Sequence, residues 1–435
     1  MKSTPSLRHY GALRGLDSAT QSALLDRTTS TDPRIRETTA TILADVRARG
    51  DAALREMATR FDGVTLEHLE VPRKQWKVAL DGLTRELRQA MERTIENVAS
   101  VHRAFVPVTV ETSPEPGIVV GRRPDPLGRV GVYAPGGRAT YPSSVLMGVV
   151  PARVAGVSEI FVASPPGPVG RPSPAVLAAA ELADADRLFA LGGAGAIAAL
   201  AWGTETVPRV DRIVGPGNAF VAEAKLQVSG MVGIDSPAGP SELLIIADAT
   251  ASVETVVREL LAQAEHDPRA CVVAVVEGAL MAAAVRDVIG RVLPTQERRE
   301  IIQAALAGQG AVLWVDTVRE AVEWSNTYAP EHLLVCAADP DSWLPLLRNA
   351  GTVFLGERAS VSFGDYMTGA NHVLPTGGLA RCYSGLSTQD FFRWTTYQRV
   401  GPAAASRLAL DVATFAHAEG LPGHAAAAVA WVGDR

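Results

Sequence analysis

Sulfur is scarce in this chain of 435 residues: it has three cysteines, Cys271, Cys336 and Cys382. An odd, widely spaced set excludes a disulfide framework and suits reduced thiols packed as small hydrophobes. Charge of one sign is lacking too, since Lys and Arg number 41 against 47 Asp and Glu, for a net charge of −6 with no basic block. Nucleic acid is thereby excluded as a partner, because its binding rests on neutralising phosphates. Long apolar runs are missing as well. The most apolar stretch, Ala270 to Val285, is broken by Glu277 and Gly278 and falls short of the ~20 residues that span a bilayer. No membrane partner is expected. The segment Met1-Lys-Ser-Thr-Pro-Ser-Leu-Arg-His9 lacks the apolar core of a secretory signal, so the expected location is cytoplasmic.

What the chain does have is apolar bulk, 47% against 20% charged, enough for a large core divided among two to four domains at roughly 100–200 residues each. Residues 1–29 are polar, carry Arg8, Arg14 and Arg27, and read as an arm outside the core. Pro33 then opens a helix whose Ile35, Ile42 and Val46 make an apolar face that stops at Gly50. Asp51 is placed to cap a second helix with Leu54, Met57 and Phe61 on one stripe, ending near Asp62-Gly63.

From Arg129 the texture changes to short β-branched runs alternating with Ala-rich helices. Val130–Tyr133, Glu159–Ala163, Arg187–Leu191 and Arg212–Val214 read as buried strands, with helices at 142–155, 174–182, 196–202 and 218–228 between them. A second series follows, with strands at 242–247, 270–276, 311–315, 332–336 and 353–355 and helices at 253–266, before and after Pro294, and at 318–328. Alternation of this kind predicts an α/β fold with two tandem units, each built on a mainly parallel sheet covered on both faces. Residues 357–388 have loop texture, and the tail is helical over 403–412 and 425–432, too small to fold without packing on another domain or subunit.

Several constellations could carry chemistry. Gly193, Gly195 and Ala198 follow a strand and open a helix, in the G-x-G-x-x-A form of a dinucleotide turn. A tight strand-to-helix turn is the plain alternative, since no acidic residue about 20 positions on completes the fingerprint. Ala134-Pro-Gly-Gly137 and Gly215-Pro-Gly-Asn218 occupy equivalent places, so the three turns should line one sheet edge. Gln263 and His266, three apart near a helix end, share one helix face and suit either two metal ligands or a polar helix terminus. Glu331-His332 follows Ala329-Pro330 and precedes an apolar strand; a shared site needs an irregular turn there, which the proline favours, and would offer two bases of different intrinsic pKa. Asp365 and His372 stand seven apart in the loop-rich stretch, and Glu419 and His424 five apart in the tail.

These residues sit in Gly215-Pro-Gly-Asn218, Ile234-Asp235, Ala238-Gly-Pro-Ser-Glu242, Gln263-Ala-Glu-His266, Ala329-Pro-Glu-His-Leu333 and Gly364-Asp-Tyr366 with Asn371-His-Val-Leu-Pro-Thr376. In these motifs, in Val46–Leu54 and in Pro142–Met147, the chain resembles the histidinol dehydrogenase family over nearly its whole length. The resemblance implies two incomplete Rossmann-like domains in an intertwined homodimer. It assigns residues 30–128 and 241–388 to a domain holding the zinc and catalytic residues, 129–240 to the NAD side, and 389–435 to a helical extension packing on the partner. It also implies one Zn2+ per subunit on Gln263, His266, Asp365 and His424, the last from the partner subunit. An N/O donor set without cysteine suits an open zinc site. Ser143, Ser241, His372 and the partner's Glu419 would surround the small alcohol substrate, together with His332 and the metal ligands. Tyr133, Gly195 and Asn218 match NAD-contacting positions. The implied reaction is a four-electron oxidation of L-histidinol to L-histidine, with His332 taking the hydroxyl proton and Glu331 activating water. The chain departs from the family at Gly195, where a glutamine is usual, at Ser360-Val-Ser-Phe363 and at Trp394-Thr-Thr-Tyr-Gln398. Such divergence keeps open a different small alcohol, such as a dihydroxypropanesulfonate, or a catalytically silent homologue that keeps the fold.

Overall fold

The computed structural model describes residues 6–27, 32–136 and 140–433. Two parallel sheets organise it. The first runs in the order Arg187–Ala190, Glu159–Ser164, Arg129–Tyr133, Arg212–Val214 and Gly233–Ile234, with every pairing parallel. Val130, Val132, Ile160, Phe161, Val162, Leu188, Phe189, Ile213 and Val214 are fully buried. Strands covered on both faces carry no alternation, which is why these segments read as continuous apolar runs.

The second sheet has six strands, in the order His9–Ala12, Gly310–Val315, Cys271–Glu277, Glu242–Ala247, His332–Cys336 and Thr352–Leu355, again all parallel. Helices Val253–Ala264, Ala279–Val292 and Arg299–Gln309 cover one face through Val256, Leu260, Val285, Ile289, Ile302 and Leu306. Val318–Tyr328 covers the other, with Leu13 and Leu24 beside it. The α/β class with mainly parallel sheets is therefore as expected, and no helix among the described residues is long and apolar enough to cross a membrane.

Six expectations are corrected. The arm is part of the core: His9–Ala12 pairs with Gly310–Val315 as an edge strand, and Ser18–Leu25 is helical and buries Leu24. Helices Pro33–Arg49, Asp51–Met57, Arg73–Asp81 and Arg85–Arg103 pack their buried Leu43, Leu54, Trp76 and Val98 into the core of the five-stranded sheet, not the six-stranded one. Asp51 caps nothing, because its carboxylate is spent on the hydroxyls of Thr204 (2.6 Å) and Thr206; Phe61 is 59% exposed and lies off the buried stripe. The tail is not purely helical: Phe392–Val400 pairs antiparallel with Ile118–Pro126, which also pairs with Val110–Thr112. Asp365, expected in a loop, lies on the short helix Val361–Tyr366. Gly137 of the Ala134–Gly137 turn lies outside the described residues.

Burial shifts three titrating groups. His102 is buried on Arg85–Arg103, where its Nδ1 accepts from the Thr388 N–H at 3.2 Å, and burial lowers its pKa to about 4. A histidine unfolded titrates near pH ~6.5, so between these values the unfolded chain binds the extra proton. The stability His102 contributes is complete above that range and is lost as pH falls through it. His102→Gln keeps an acceptor and should flatten the fall of Tm with acidification in this window; an unchanged slope would show that another group is responsible. Burial likewise pushes the Cys271 and Cys336 thiols up to about 12, whereas Cys382 is exposed. A thiol-titrating disulfide reagent should find one reactive cysteine in the native protein and all three in denaturant.

Candidate active site

The site forms where unlike edges of the two sheets come together. At the six-stranded sheet it is the amino edge: Ser241 precedes the strand Glu242–Ala247, and Glu331 precedes His332–Cys336. Helix Val253–Ala264 runs back across this sheet, so its end delivers Gln263 and His266 to the same edge. At the five-stranded sheet it is the carboxyl edge. Tyr133 ends its strand, Gly193 opens the helix after Arg187–Ala190, Gly215 to Asn218 follow Arg212–Val214, and Ser143 lies in the first turn of Pro142–Ala155. The loop 371–377 joins the two, since its Gly377 N–H donates to the Glu242 carboxylate at 2.8 Å. The Asn371 amide donates to the Met147 carbonyl at 2.7 Å, and the Thr376 hydroxyl accepts from the Gly239 N–H.

Glu331 and His332 do share a site, and the turn before them is irregular as expected. Ala329 takes a left-handed φ of 52° at the end of helix Val318–Tyr328, and Pro330 follows. Glu331 then turns back, its Oε2 accepting from the Glu242 N–H at 2.7 Å and lying 3.4 Å from His332 Nδ1. His332 Nδ1 lies 3.0 Å from the Glu242 carbonyl oxygen. A carbonyl oxygen only accepts, so Nδ1 carries the proton and the Nε2 lone pair is the basic one. Nε2 is buried, has no hydrogen bond, and faces Asp365 Oδ1 at 3.4 Å. His372 repeats the arrangement, with Nδ1 2.9 Å from the Asp365 carbonyl oxygen.

The electrostatics follow from this crowding. Burial works against a charge on His332, but the Glu331 and Asp365 carboxylates outweigh it and raise its pKa well above the ordinary histidine value. Burial raises Glu331, against the pull of His332. For Asp365 burial pushes upward, and the His332 contact overrides it to hold the carboxyl below its usual range. His266 and His372 are both lowered, chiefly by burial, with Asp365 opposing. Buried, mutually perturbed groups of this kind are what a proton-transfer site requires.

Gln263 is buried and His266 half-buried, and neither side chain has a hydrogen bond or ion pair among the described residues. The amide and the imidazole thus stand with donor atoms unspent and, with the Asp365 carboxylate that meets His332, make a donor set whose chemistry fits zinc. Within the described residues no three His, Cys, Asp or Glu side chains of one chain form a metal-binding group. Glu419 and His424 are not brought to the site within one chain. Both are exposed on the helix pair Pro402–Ala418 and Pro422–Val429, and neither bonds to Gln263, His266, His332 or Asp365.

On the other side, the buried Tyr133 hydroxyl accepts from the Gly193 N–H at 3.1 Å, and burial pushes its pKa up to about 12. Asn218 is exposed and caps its helix, Oδ1 accepting from the Phe220 and Val221 N–H groups. Gly195 is buried against helix Asp51–Met57: a Cβ there would stand 3.1 Å from Met57 Sδ and 3.4 Å from a Leu54 methyl. Gly215, with φ of 117°, has no room for any side chain, since a Cβ would fall 2.1 Å from the Tyr133 carbonyl oxygen. The residues that the sequence did not single out are Glu242, which holds both members of the pair, and Arg27, which meets Glu242 in the core. A glutamate heading the otherwise apolar run Glu242–Ala247 was the available signal, because a buried carboxylate requires a partner.

Comparison with known proteins gives one answer at several levels. The family model described as histidinol dehydrogenase matches residues 25–431. A histidinol dehydrogenase of Methanosarcina barkeri is 44% identical over 417 residues, covering 96% of each chain. One from Chromobacterium violaceum is 46% identical over 409 residues, 93% of this chain and 94% of that one. The crystal structure of histidinol dehydrogenase from Elizabethkingia anophelis superposes with a TM-score of 0.94 at 31% identity, covering 99% of both chains. An acetylating aldehyde dehydrogenase from Geobacillus thermoglucosidasius, 13% identical with a TM-score of 0.50 over 88% of this chain and 94% of that one, shares the fold alone. The chain belongs to the histidinol dehydrogenase family of oxidoreductases.

Proposed function

We propose that the protein is a zinc-dependent, NAD-linked enzyme of histidine biosynthesis, acting in the cytoplasm, that oxidises L-histidinol to L-histidine through the aldehyde. The observation that carries this reading is the buried Glu331–His332 pair, whose Nε2 faces Asp365 in the neighbourhood of His266, with Gln263 three residues earlier near the same helix end. Zinc would be held by these three with His424 of a second copy. Bound there, zinc supplies a fixed anchor for the substrate's nitrogen atoms, and NAD, beside Tyr133, Gly195 and Asn218, supplies the hydride acceptor twice per turnover.

His332 Nε2 takes the hydroxyl proton as the carbinol carbon gives up hydride. The Glu331 carboxylate, 3.4 Å from Nδ1, stabilises the imidazolium that forms. Glu331 removes a proton from the water that adds to the aldehyde, and His332 again serves when the resulting hydrate is oxidised. Ser143, Ser241 and His372 line the substrate's surroundings, and Glu419 would come from the second copy. That copy also explains the tail, where Leu410, Phe415 and Trp431 are 61%, 71% and 54% exposed on small helices, more apolar surface than such elements leave uncovered.

Zinc-loaded protein given histidinol should form two NADH per histidinol consumed. Turnover of a sulfonated alcohol instead, with none of histidinol, would overturn the substrate. Glu331→Gln should leave oxidation of the alcohol near normal and slow oxidation of the aldehyde by about 10²–10⁴-fold, the usual worth of a general base. His332→Asn should depress both half-reactions. Equal loss of both in Glu331→Gln would refute this division of labour.

A further inference from the structure

Arg27 lies in the N-terminal segment, 215 residues from Glu242 in sequence, yet the two side chains meet with each only 1% exposed. Its Nε donates to Glu242 Oε1 at 2.9 Å and its Nη2 to Oε2 at 3.2 Å. The same Nη2 donates to the Tyr328 carbonyl at 2.7 Å and reaches the Ala329 carbonyl at 3.4 Å, while the guanidinium stacks 3.5 Å from the centroid of the Tyr328 ring. The group therefore grips the backbone of the left-handed turn that aims Glu331 and His332. Glu242 completes the hold. Its carboxylate also accepts from the Gly377 N–H at 2.8 Å and the Glu331 N–H at 3.3 Å, and its backbone fixes the Glu331 carboxylate and the His332 ring.

We infer that Arg27 is a positioning residue for the Glu331–His332 pair, acting through the Glu242 carboxylate and the carbonyls of Tyr328 and Ala329. The inference rests on the reading of Glu331 and His332 as the two bases. It differs from a purely structural role in what it moves: geometry at the bases, not binding of substrate or metal. A planar fork can serve a carboxylate and two carbonyls at once, whereas an ammonium is a single point donor.

Arg27→Lys keeps the charge beside Glu242 and loses the fork. The variant should keep its zinc content and its KM for histidinol and NAD, while kcat falls about 10- to 100-fold in both half-reactions, as expected for reacting groups displaced by a fraction of an ångström to an ångström. Unlike Glu331→Gln, it should not separate the two steps. Arg27→Met combined with Glu242→Gln removes both buried charges and carries the test if the lysine variant does not fold. It should show the same loss of kcat per zinc-loaded molecule. Variants that lose Tm but keep wild-type kcat in the folded, zinc-loaded protein would make Arg27 a structural staple and overturn the inference. Wild-type protein without turnover would overturn the functional reading and this role with it; wild-type turnover matched by the variants would overturn the role of Arg27 alone.

Discussion

A carboxylate cannot rest in an apolar core without a cation and a full set of hydrogen bonds, and Glu242 is such a carboxylate. Meeting that demand shapes the six-stranded sheet. The arm must come far enough across to deliver Arg27, which commits His9–Ala12 to the sheet edge. The turn at Ala329 must offer its carbonyls, and the loop at Gly377 must offer an N–H. Three segments remote in sequence are thus tied to the first residue of one strand. Removing one partner of a buried pair of this kind costs about 3–5 kcal/mol, most of it the penalty for the charge left behind.

The five-stranded sheet solves a parallel problem in the same way. Asp235 is buried where the chain leaves that sheet, and it pairs with the equally buried Lys225. Asp235 Oδ2 accepts from the Gly215 N–H at 2.7 Å while Lys225 Nζ donates to the Gly215 carbonyl at 3.1 Å. The turn leading to Asn218 is held from both its donor and its acceptor side. Each sheet therefore spends one buried ion pair on one turn of the site. Between them the loop 371–377 fastens His372 to both units, through Asn371 on Met147 and through the Gly377 N–H on Glu242.

The parallel strands and their helices were legible in the sequence because burial on both faces leaves uninterrupted apolar runs, and because the helices begin at Pro142 and Pro174 as expected. The antiparallel sheet was not legible. Ile118–Pro126 and Phe392–Val400 are only partly buried and rich in arginine and threonine, so no alternation marks them. The site divides along the same line. Gln263, His266, Glu331, His332, Asp365 and His372 could be named from short motifs with chemical meaning. Arg27 looked like one more surface arginine, since nothing within its neighbourhood says that its partner lies across the fold. Gly195 fell between the two: its motif was readable, but its burial against Met57 and Leu54 comes from a helix far earlier in the chain.

The use of opposite sheet edges has a consequence in charge. In parallel α/β units, helices run counter to the strands, so the amino edge of a sheet collects helix C-termini and the carboxyl edge collects helix N-termini. Here Gln263 and His266 stand at the C-terminal end of Val253–Ala264, the negative end of its dipole. Pro142–Ala155, Gly193–Trp202 and Ala219–Val228 begin at the facing edge, with dipole ends of the opposite sign. Before any side chain is considered, the backbone makes one side of the site hospitable to cations and the other to anions. A polar molecule lying between them experiences a field directed from one sheet edge to the other.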